Sequence, residues 1–234
     1  MDKNILNAII VALIGIFLLV AFRVYFTIFP GKQFNRARFV ARIGIFAGFS
    51  ALLYVVEVFT VKLPFFPSFL SLHFDEVPAF IAGFAYGPLA GVLVILIKTM
   101  IKLPFSQTFL VGEATDLILS GIYVFIVTFI YKKKRNLKGV ALGFTIGTVV
   151  QVIIAMLLNV YIMIPLYIFM KGFKESELLY VMRLAVPAIS DVRWSYAFLA
   201  VLPFNLVKDA IVIVLTFILY RSLHTFLRFE KKKV

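Results

Sequence analysis

Ionisable and amide side chains interrupt an otherwise apolar sequence at a few places, and these residues are the ones that could do chemistry. They form four groups: Ser68 to Glu76; Ser106 to Asp116, which includes Gln107, Thr108 and Glu113; Asn159 with Tyr161; and Asn205, Lys208 and Asp209. Asn205 and Lys208 are three positions apart, so on a helix they share a face. Lys208 either meets a ligand there or extends to the membrane surface with Asp209 as its partner.

Two more lysines, Lys98 and Lys102, are four positions apart and carry the same ambiguity. We expect them to form ion pairs with Glu113 or Asp116 that hold helices together, rather than to contact a ligand. His73 is expected to be a loop residue and not a metal ligand. The aromatic residues that could enclose a planar ligand are Phe69, Phe74 and Phe109.

Signatures of catalysis are missing from the sequence. It contains no H-E-x-x-H, G-x-S-x-G or G-x-x-x-x-G-K-[ST] pattern. With two histidines and no cysteine, general bases, nucleophiles and metal ligands are few. A carboxylate pair such as Glu113 and Asp116 is too common to indicate an active site. The sequence therefore predicts a protein that is not an enzyme and has no catalytic residues, no metal site and no cofactor.

The composition shows what kind of element must position these groups. Of 234 residues, 63% are hydrophobic, and the mean hydropathy is +1.05. The core of a soluble domain of 234 residues cannot bury so much apolar surface. This composition excludes a soluble globular protein and a disordered one. The net charge of +13 comes from basic residues at the ends of apolar runs, without any nucleic-acid-binding motif. We therefore predict an integral membrane protein that binds no nucleic acid.

Six apolar runs are candidate membrane segments. They are Ile5 to Phe22, Phe39 to Val61, Val77 to Ile97, Leu117 to Tyr131, Val140 to Met170, and Leu202 to Tyr220. The first is interpreted as a retained helix because no small-residue cleavage site follows it. The polar connection from Lys171 to Ala200 is long for a helical bundle, and long loops are often functional.

Basic clusters predict the orientation of the chain. Three of them hold most of the 24 basic residues: Lys32, Arg36, Arg38 and Arg42; Lys132 to Arg135 with Lys138; and Arg221, Arg228 and Lys231 to Lys233. All three are expected to be cytoplasmic, which places the C-terminus inside and the N-terminus outside.

The run from Val77 to Ile97 must then turn back near Gly87-Pro88, because a single crossing would leave the second cluster outside. Proline disfavours a helical residue before it, which supports a break there. The first half is too short to span the bilayer, so the preceding loop must enter the membrane, where irregular backbone lines a cavity or is buried in protein. The expected architecture is all-α: an extra N-terminal helix (residues 1–30), a six-helix domain (31–225) and a basic cytoplasmic tail (226–234).

Small residues form two adjacent rows on the helix after the first basic cluster. Gly44 and Gly48 form one row, and Ala47 and Ala51 form the other. Small residues allow helices to approach closely in lipid. The rows therefore either pack within this bundle or provide a docking face for another membrane subunit.

The stretch from Leu70 to Gly91, LSLHFDEVPAFIAGFAYGPLAG, resembles the substrate-binding S components of energy-coupling factor (ECF) vitamin transporters, with the riboflavin-specific members the most similar. The resemblance continues through Gly112-Glu113 and through Pro203 to Lys208. It implies a six-helix prokaryotic plasma-membrane protein that binds its vitamin on the outer side. It also implies association with a transmembrane coupling subunit and two ATPases, which drive release of the vitamin inside the cell.

The resemblance further implies roles for individual residues. Ala47 and Ala51 match a docking motif, and the residues implied to contact the flavin are Leu70, Leu72, Asp75, Asn159, Asn205 and Lys208. A carboxamide and an ammonium suit the carbonyls and ring nitrogens of isoalloxazine, while Glu113 or Asp116 could accept hydrogen bonds from ribityl hydroxyls.

Two alternative functions stay open. One is an S component for another vitamin, and the other is an ion-coupled secondary transporter that uses Glu113, Asp116 and Lys98.

Overall fold

The computed structural model describes residues 36–106, 110–172 and 174–231, and most of them form helices. The predicted helix in residues 1–30 lies outside this part of the chain, as do Lys32, Gln107, Thr108, Phe109 and residues 232–234. The helices and strands are α1 Arg36–Val55, β1 Val61–Lys62, β2 Ser71–Leu72, α2 Glu76–Tyr86, α3 Pro88–Lys102, α4 Val111–Lys133, α5 Leu137–Leu158, α6 Ile164–Lys171, α7 Glu175–Ala185, α8 Trp194–Tyr196 and α9 Leu202–Lys231.

Five stretches of the described chain are long and apolar enough to cross a membrane, as expected for a multi-pass membrane protein. They are Ala37–Val55, Pro88–Phe105, Val111–Lys133, Leu137–Phe169 and Trp194–Tyr220. Helix α2 is a further member of the bundle, but its 11 residues are too few to span the bilayer.

The predicted break at Gly87-Pro88 is confirmed. Helix α2 ends at Tyr86, and Pro88 begins α3, where its missing N–H costs nothing. Gly87 between them has φ +106°, a conformation that side-chain-bearing residues rarely adopt. The two helices fold back on each other closely. A methyl group added at Gly91 would lie 2.8 Å from the carbonyl oxygen of Ala79.

Two membrane segments contain a π-helical turn that the sequence runs did not predict. The turns are Asn159–Met163, between α5 and α6, and Ala197–Val201, between α8 and α9. Each is followed within two residues by a proline, Pro165 or Pro203, whose missing N–H removes a donor from the helical ladder. The last segment therefore begins at Trp194 and not at Leu202 as predicted.

The connection between these two segments is not the irregular loop that its polar sequence suggested. It contains α7, which is amphipathic and carries the fully buried Met182 on its inner side. Arg183 Nε donates a hydrogen bond to the carbonyl oxygen of Ile189 at 2.7 Å, which closes the chain after the helix. Helix α7 thus packs onto the bundle together with Ile189 and Val192.

Candidate functional site

A cavity of about 800 Å³ opens between the irregular segment after α1, the helix ends around it and α7. This volume lies within the ~300–1,000 Å³ range of small-molecule sites. Its lining combines aromatic and aliphatic side chains with many polar and charged ones. The residues that line it include Tyr54, Glu57, Thr60, Lys62, Ser68, Phe69, Leu70, Ser71, His73, Lys102, Glu113, Asp116, Asn159, Met163, Tyr167, Leu178, Met182, Tyr196, Phe204, Asn205 and Lys208.

The structure brings five of the seven predicted binding residues to this cavity: Leu70, Glu113, Asn159, Asn205 and Lys208. The other two lie behind its wall. Leu72 is 1% exposed and pairs with Val61 in the two-stranded sheet. Asp75 is also buried, and its carboxylate accepts a hydrogen bond from the Lys98 ammonium. Neither residue lines the cavity, and a direct contact between either of them and a ligand stays a prediction.

Asn205 presents its carboxamide from the first turn of α9, and two contacts fix its orientation. Its Nδ2 donates to the carbonyl oxygen of Val201 at 2.8 Å, and its Oδ1 accepts from Gln151 Nε2 at 3.0 Å. A carboxamide has two N–H donors and two acceptor lone pairs, so one of each is left for a ligand. Gln151 was not predicted, although an amide within the apolar run from Val140 to Met170 was a signal for it.

Asn159 reaches the cavity from the first π-helical turn. Its Nδ2 donates to the carbonyl oxygen of Ala155 at 2.8 Å, as expected for an amide folded back on its own helix. The side chain is half-buried, and its Oδ1 accepts no hydrogen bond from the described residues. π-Helical turns are frequent at functional sites because they redirect side chains. Here the turn places an acceptor at the cavity wall.

Lys208 is held by Glu76 and not by Asp209. Its Nζ donates to Glu76 Oε1 at 2.7 Å, across 132 positions of sequence, and its side chain is 11% exposed. Asp209, the alternative partner, is itself buried. Lys208 therefore does not extend to the membrane surface, and its ammonium lies in the cavity wall with a buried counter-ion. Glu76 was missed because nothing in its local spacing relates it to α9.

The predicted ion pair between Lys98 and Asp116 is confirmed. Lys98 is fully buried, and its Nζ donates to Asp116 Oδ2 at 2.7 Å as well as to Asp75. The ammonium also lies 4.3 Å from the ring centroid of Tyr54, within the range of a cation–π contact. Lys102, one turn later, lies over the same ring at 5.3 Å. Lys98 thus ties together α3, α4 and the segment before α2.

Ser120 connects the two ion-paired groups. Its hydroxyl lies 2.6 Å from Glu76 Oε1 and 3.2 Å from Asp116 Oδ1. A serine has a single proton, and the shorter distance assigns it to Glu76. A continuous buried polar chain therefore runs from Asp75 through Lys98, Asp116, Ser120 and Glu76 to Lys208.

Glu113 takes part in the local structure of the loop before α4. Ser106 Oγ donates to Glu113 Oε2 at 2.8 Å and accepts from the backbone N–H of Leu110 at 3.0 Å. Leu110 has φ +70°, so this hydroxyl supports a backbone conformation that leucine rarely adopts. Glu113 is therefore positioned at the cavity by the turn that begins α4.

His73 belongs to the loop that lines the cavity, as predicted. Its ring packs edge-on against Tyr54 at 5.2 Å, and Nδ1 lies 3.4 Å from Thr60 Oγ1. Burial lowers the pKa of His73 from its ordinary value to about 4, and the neighbouring lysines add to this effect. The imidazole is therefore neutral at physiological pH.

The aromatic lining is only partly the predicted one. Phe69 lines the cavity, with its ring 6.0 Å from that of Tyr196. Phe74 is half-buried and does not line it, and Phe109 lies outside the described residues. The rings that sequence reasoning missed are Tyr54, Tyr167, Tyr196 and Phe204. They come from three membrane segments, because Tyr196 and Phe204 both belong to the last one, and no short sequence spacing relates the three.

The two rows of small residues on α1 face different ways. Ala47 and Ala51 are 1% and 5% exposed and pack inside the bundle. Gly44 and Gly48 are exposed, and a methyl group added at either would meet no atom within 4 Å among the described residues. The alanine row therefore has the internal packing role in this arrangement, and only the glycine row is accessible to another subunit.

Comparison with known proteins gives a consistent result. A family model described as "ECF transporter, substrate-specific component" matches residues 38–220. The riboflavin transporter RibU of Staphylococcus aureus is 29% identical over 76% of this chain and 88% of its own length. The riboflavin transporter FmnP of Bacillus subtilis is 28% identical over 79% of this chain and 92% of its own length. The chain also resembles a solved S component of a bacterial ECF transporter, with a TM-score of 0.64 and 25% identity, over 82% of this chain and 99% of that one. The chain therefore belongs to the family of substrate-specific components of ECF transporters.

Proposed function

We propose that this protein is a riboflavin-binding S component, and that the 800 Å³ cavity is its riboflavin site. The observation that carries the proposal is the juxtaposition of Asn205 and Lys208 at a cavity wall that also carries several aromatic rings. An amide and an ammonium together can donate to and accept from the polar edge of one planar ring system. The riboflavin transporters that the chain resembles make isoalloxazine the first candidate for that ring.

The proposed pose follows from the chemistry of the wall. The ring edge meets the Asn205 amide and the Lys208 ammonium, with Asn159 Oδ1 as a further acceptor. The rings of Phe69, Tyr167 and Phe204 supply apolar surface, as in most small-molecule sites. Glu113 and Asp116 are acceptors on the cavity wall that we assign to ribityl hydroxyls. Leu72 and Asp75 contribute from behind the wall, by fixing the strand pair and Lys98.

The transport cycle that we propose assigns capture to this chain and energy supply to others. The cavity opens to the outside in the orientation that the basic clusters favour, which places the C-terminus in the cytoplasm. Two ATPases and a transmembrane coupling subunit would drive release inside the cell. Because Ala47 and Ala51 are covered, docking through α1 would use the exposed Gly44 and Gly48 row, or would require α1 to rotate.

The test is to identify what the protein binds. The chain is purified in detergent from cells grown with riboflavin, and the bound molecule is released and identified by its absorption spectrum and mass. We expect a yellow protein carrying riboflavin, which excess thiamine, biotin or folate does not displace. Release of a different vitamin, or displacement by one of the three competitors, would replace the proposed ligand while keeping the S-component assignment.

The alternative of an ion-coupled secondary transporter has a separate test. Of its three candidate residues, Lys98 and Asp116 pair with each other and Glu113 accepts a hydrogen bond from Ser106, so all three have a structural role without a transported ion. Proteoliposomes containing this chain alone are loaded with an ion gradient and supplied with riboflavin. We expect binding without accumulation. Accumulation driven by the gradient would favour the alternative.

A further inference from the structure

The Lys208 ammonium is the cationic group that the proposed pose brings to the flavin ring, and its position depends on a residue outside the cavity. Glu76 does not line the cavity and is 1% exposed, yet its Oε1 accepts from Lys208 Nζ at 2.7 Å. A lysine side chain has four rotatable carbon–carbon bonds and a compact charge, so by itself it defines no direction at a binding site. Glu76 supplies that direction.

The carboxylate of Glu76 is itself fixed. Its Oε1 also accepts the hydroxyl proton of Ser120 at 2.6 Å, whereas Oε2 has no partner among the described residues. Both hydrogen bonds therefore converge on one oxygen. Glu76 lies in the first turn of α2, where the helix dipole favours a negative charge, and Ser120 lies in α4. Two helices that do not carry Lys208 thus determine where its counter-charge sits.

We propose that Glu76 is a positioning residue for the ligand: it holds the Lys208 ammonium at the cavity wall and compensates its charge, with Ser120 fixing the carboxylate. The inference rests on the proposed function, because it concerns the group that donates to the flavin ring. Preorganisation of this kind raises affinity by removing the ordering cost from the binding step. Glu76 therefore affects riboflavin through Lys208 and by no other route.

The experiment is a double-mutant cycle on riboflavin affinity, measured by quenching of flavin fluorescence on the full chain in detergent. The variants are Glu76→Gln, Lys208→Met and the combination of both. We expect Lys208→Met to weaken binding at least tenfold and Glu76→Gln at least fivefold. In the Lys208→Met background, Glu76→Gln should change the affinity less than twofold. The matched control is Glu175→Gln, which removes an exposed carboxylate outside the cavity and should leave affinity unchanged.

Two further readouts separate positioning from general damage to the fold. The visible absorption bands of the bound flavin respond to hydrogen bonds at the ring, so Glu76→Gln should shift them in the same direction as Lys208→Met. Ser120→Ala should weaken binding by a smaller factor, about two- to threefold, because the hydroxyl acts on the ligand only through Glu76 and Lys208, and it should have no effect in the Lys208→Met background. Removal of both charges avoids an unpaired buried lysine. The affinity of the double variant can therefore be compared with that of Lys208→Met even if Glu76→Gln alone does not fold.

The outcomes distinguish the inference from the proposed function. Failure of the unmodified protein to bind riboflavin overturns the proposed function. Normal binding by the unmodified protein, with Glu76→Gln and Lys208→Met effects that multiply, overturns the positioning role, because Glu76 would then act independently of Lys208. Unchanged flavin bands in Glu76→Gln would overturn it in the same way.

Discussion

Replacement of Lys98 by methionine tests the buried polar chain most severely. Lys98 has no exposed side-chain surface and is the cation for both Asp75 and Asp116. Methionine keeps the length and apolar stem of lysine but leaves the buried Asp75 and the partly buried Asp116 without their counter-ion. Removal of one partner from a buried ion pair costs about 3–5 kcal/mol of folding free energy. For a chain of this size, each kcal/mol lowers the unfolding temperature by about 2–4 °C, so we expect a drop of roughly 6–20 °C.

The assay is thermal unfolding of the detergent-purified protein without added vitamin. Lys102→Met is the matched control, because Lys102 lies one turn along the same helix and its ammonium packs over the Tyr54 ring. Loss of that cation–π contact should cost no more than about 1 kcal/mol. Combining Lys98→Met with Asp75→Asn and Asp116→Asn removes all three charges and should recover most of the lost stability. Equal unfolding temperatures for Lys98→Met and Lys102→Met would refute the assignment of Lys98 as the central cation.

Three other predictions concern packing, pH and the binding amide. Gly91→Ala should lower the unfolding temperature, at a cost of about 1–3 kcal/mol of folding free energy, because the added methyl would lie 2.6 Å from Val124 Cγ1. Gly44→Ala is the control and should be tolerated, because its methyl meets no atom of the described residues within 4 Å. Since the pKa of His73 is lowered to about 4, this histidine takes up a proton at higher pH in the unfolded chain than in the folded one. The folding stability should therefore fall as the pH decreases from about 6.5 towards 4. Thermal unfolding at several pH values should show a smaller dependence of stability on pH in His73→Gln than in the unmodified protein. Asn205→Leu should weaken riboflavin binding at least tenfold in a fluorescence titration, and an unchanged affinity would remove this amide from the site.

The sequence predicted those features that depend on local spacing or on composition. Apolar runs located the membrane segments, and the Gly87-Pro88 pair located the break because proline and positive φ act on immediate neighbours. The three-residue spacing of Asn205 and Lys208 predicted that they share a face, and both line the cavity. Asp116 was one of the two carboxylates predicted as partners of Lys98, because few counter-ions are available to a lysine in the membrane, and the structure shows that pair.

Features that depend on distant neighbours were missed. Glu76 and Lys208 are 132 positions apart, and only the packing of α2 against α9 makes them an ion pair. The spacing of the small residues on α1 left internal packing and docking open, because spacing alone does not tell which face of a helix turns inward, and the structure buries the alanine row. Helix α7 was hidden by its polar composition, since a helix that covers a site needs an apolar stripe on one side only.

The central claim is that the cavity wall containing Asn205 and Lys208 binds riboflavin. The most direct test compares the riboflavin binding isotherms of two proteins. Riboflavin fluorescence is titrated with the purified full chain and with the combined variant Asn205→Ala and Lys208→Ala, after both have been shown to unfold cooperatively. We predict saturable quenching at one riboflavin per chain for the unmodified protein, and a loss of affinity of at least a hundredfold for the variant. The same affinity in both proteins would contradict the claim.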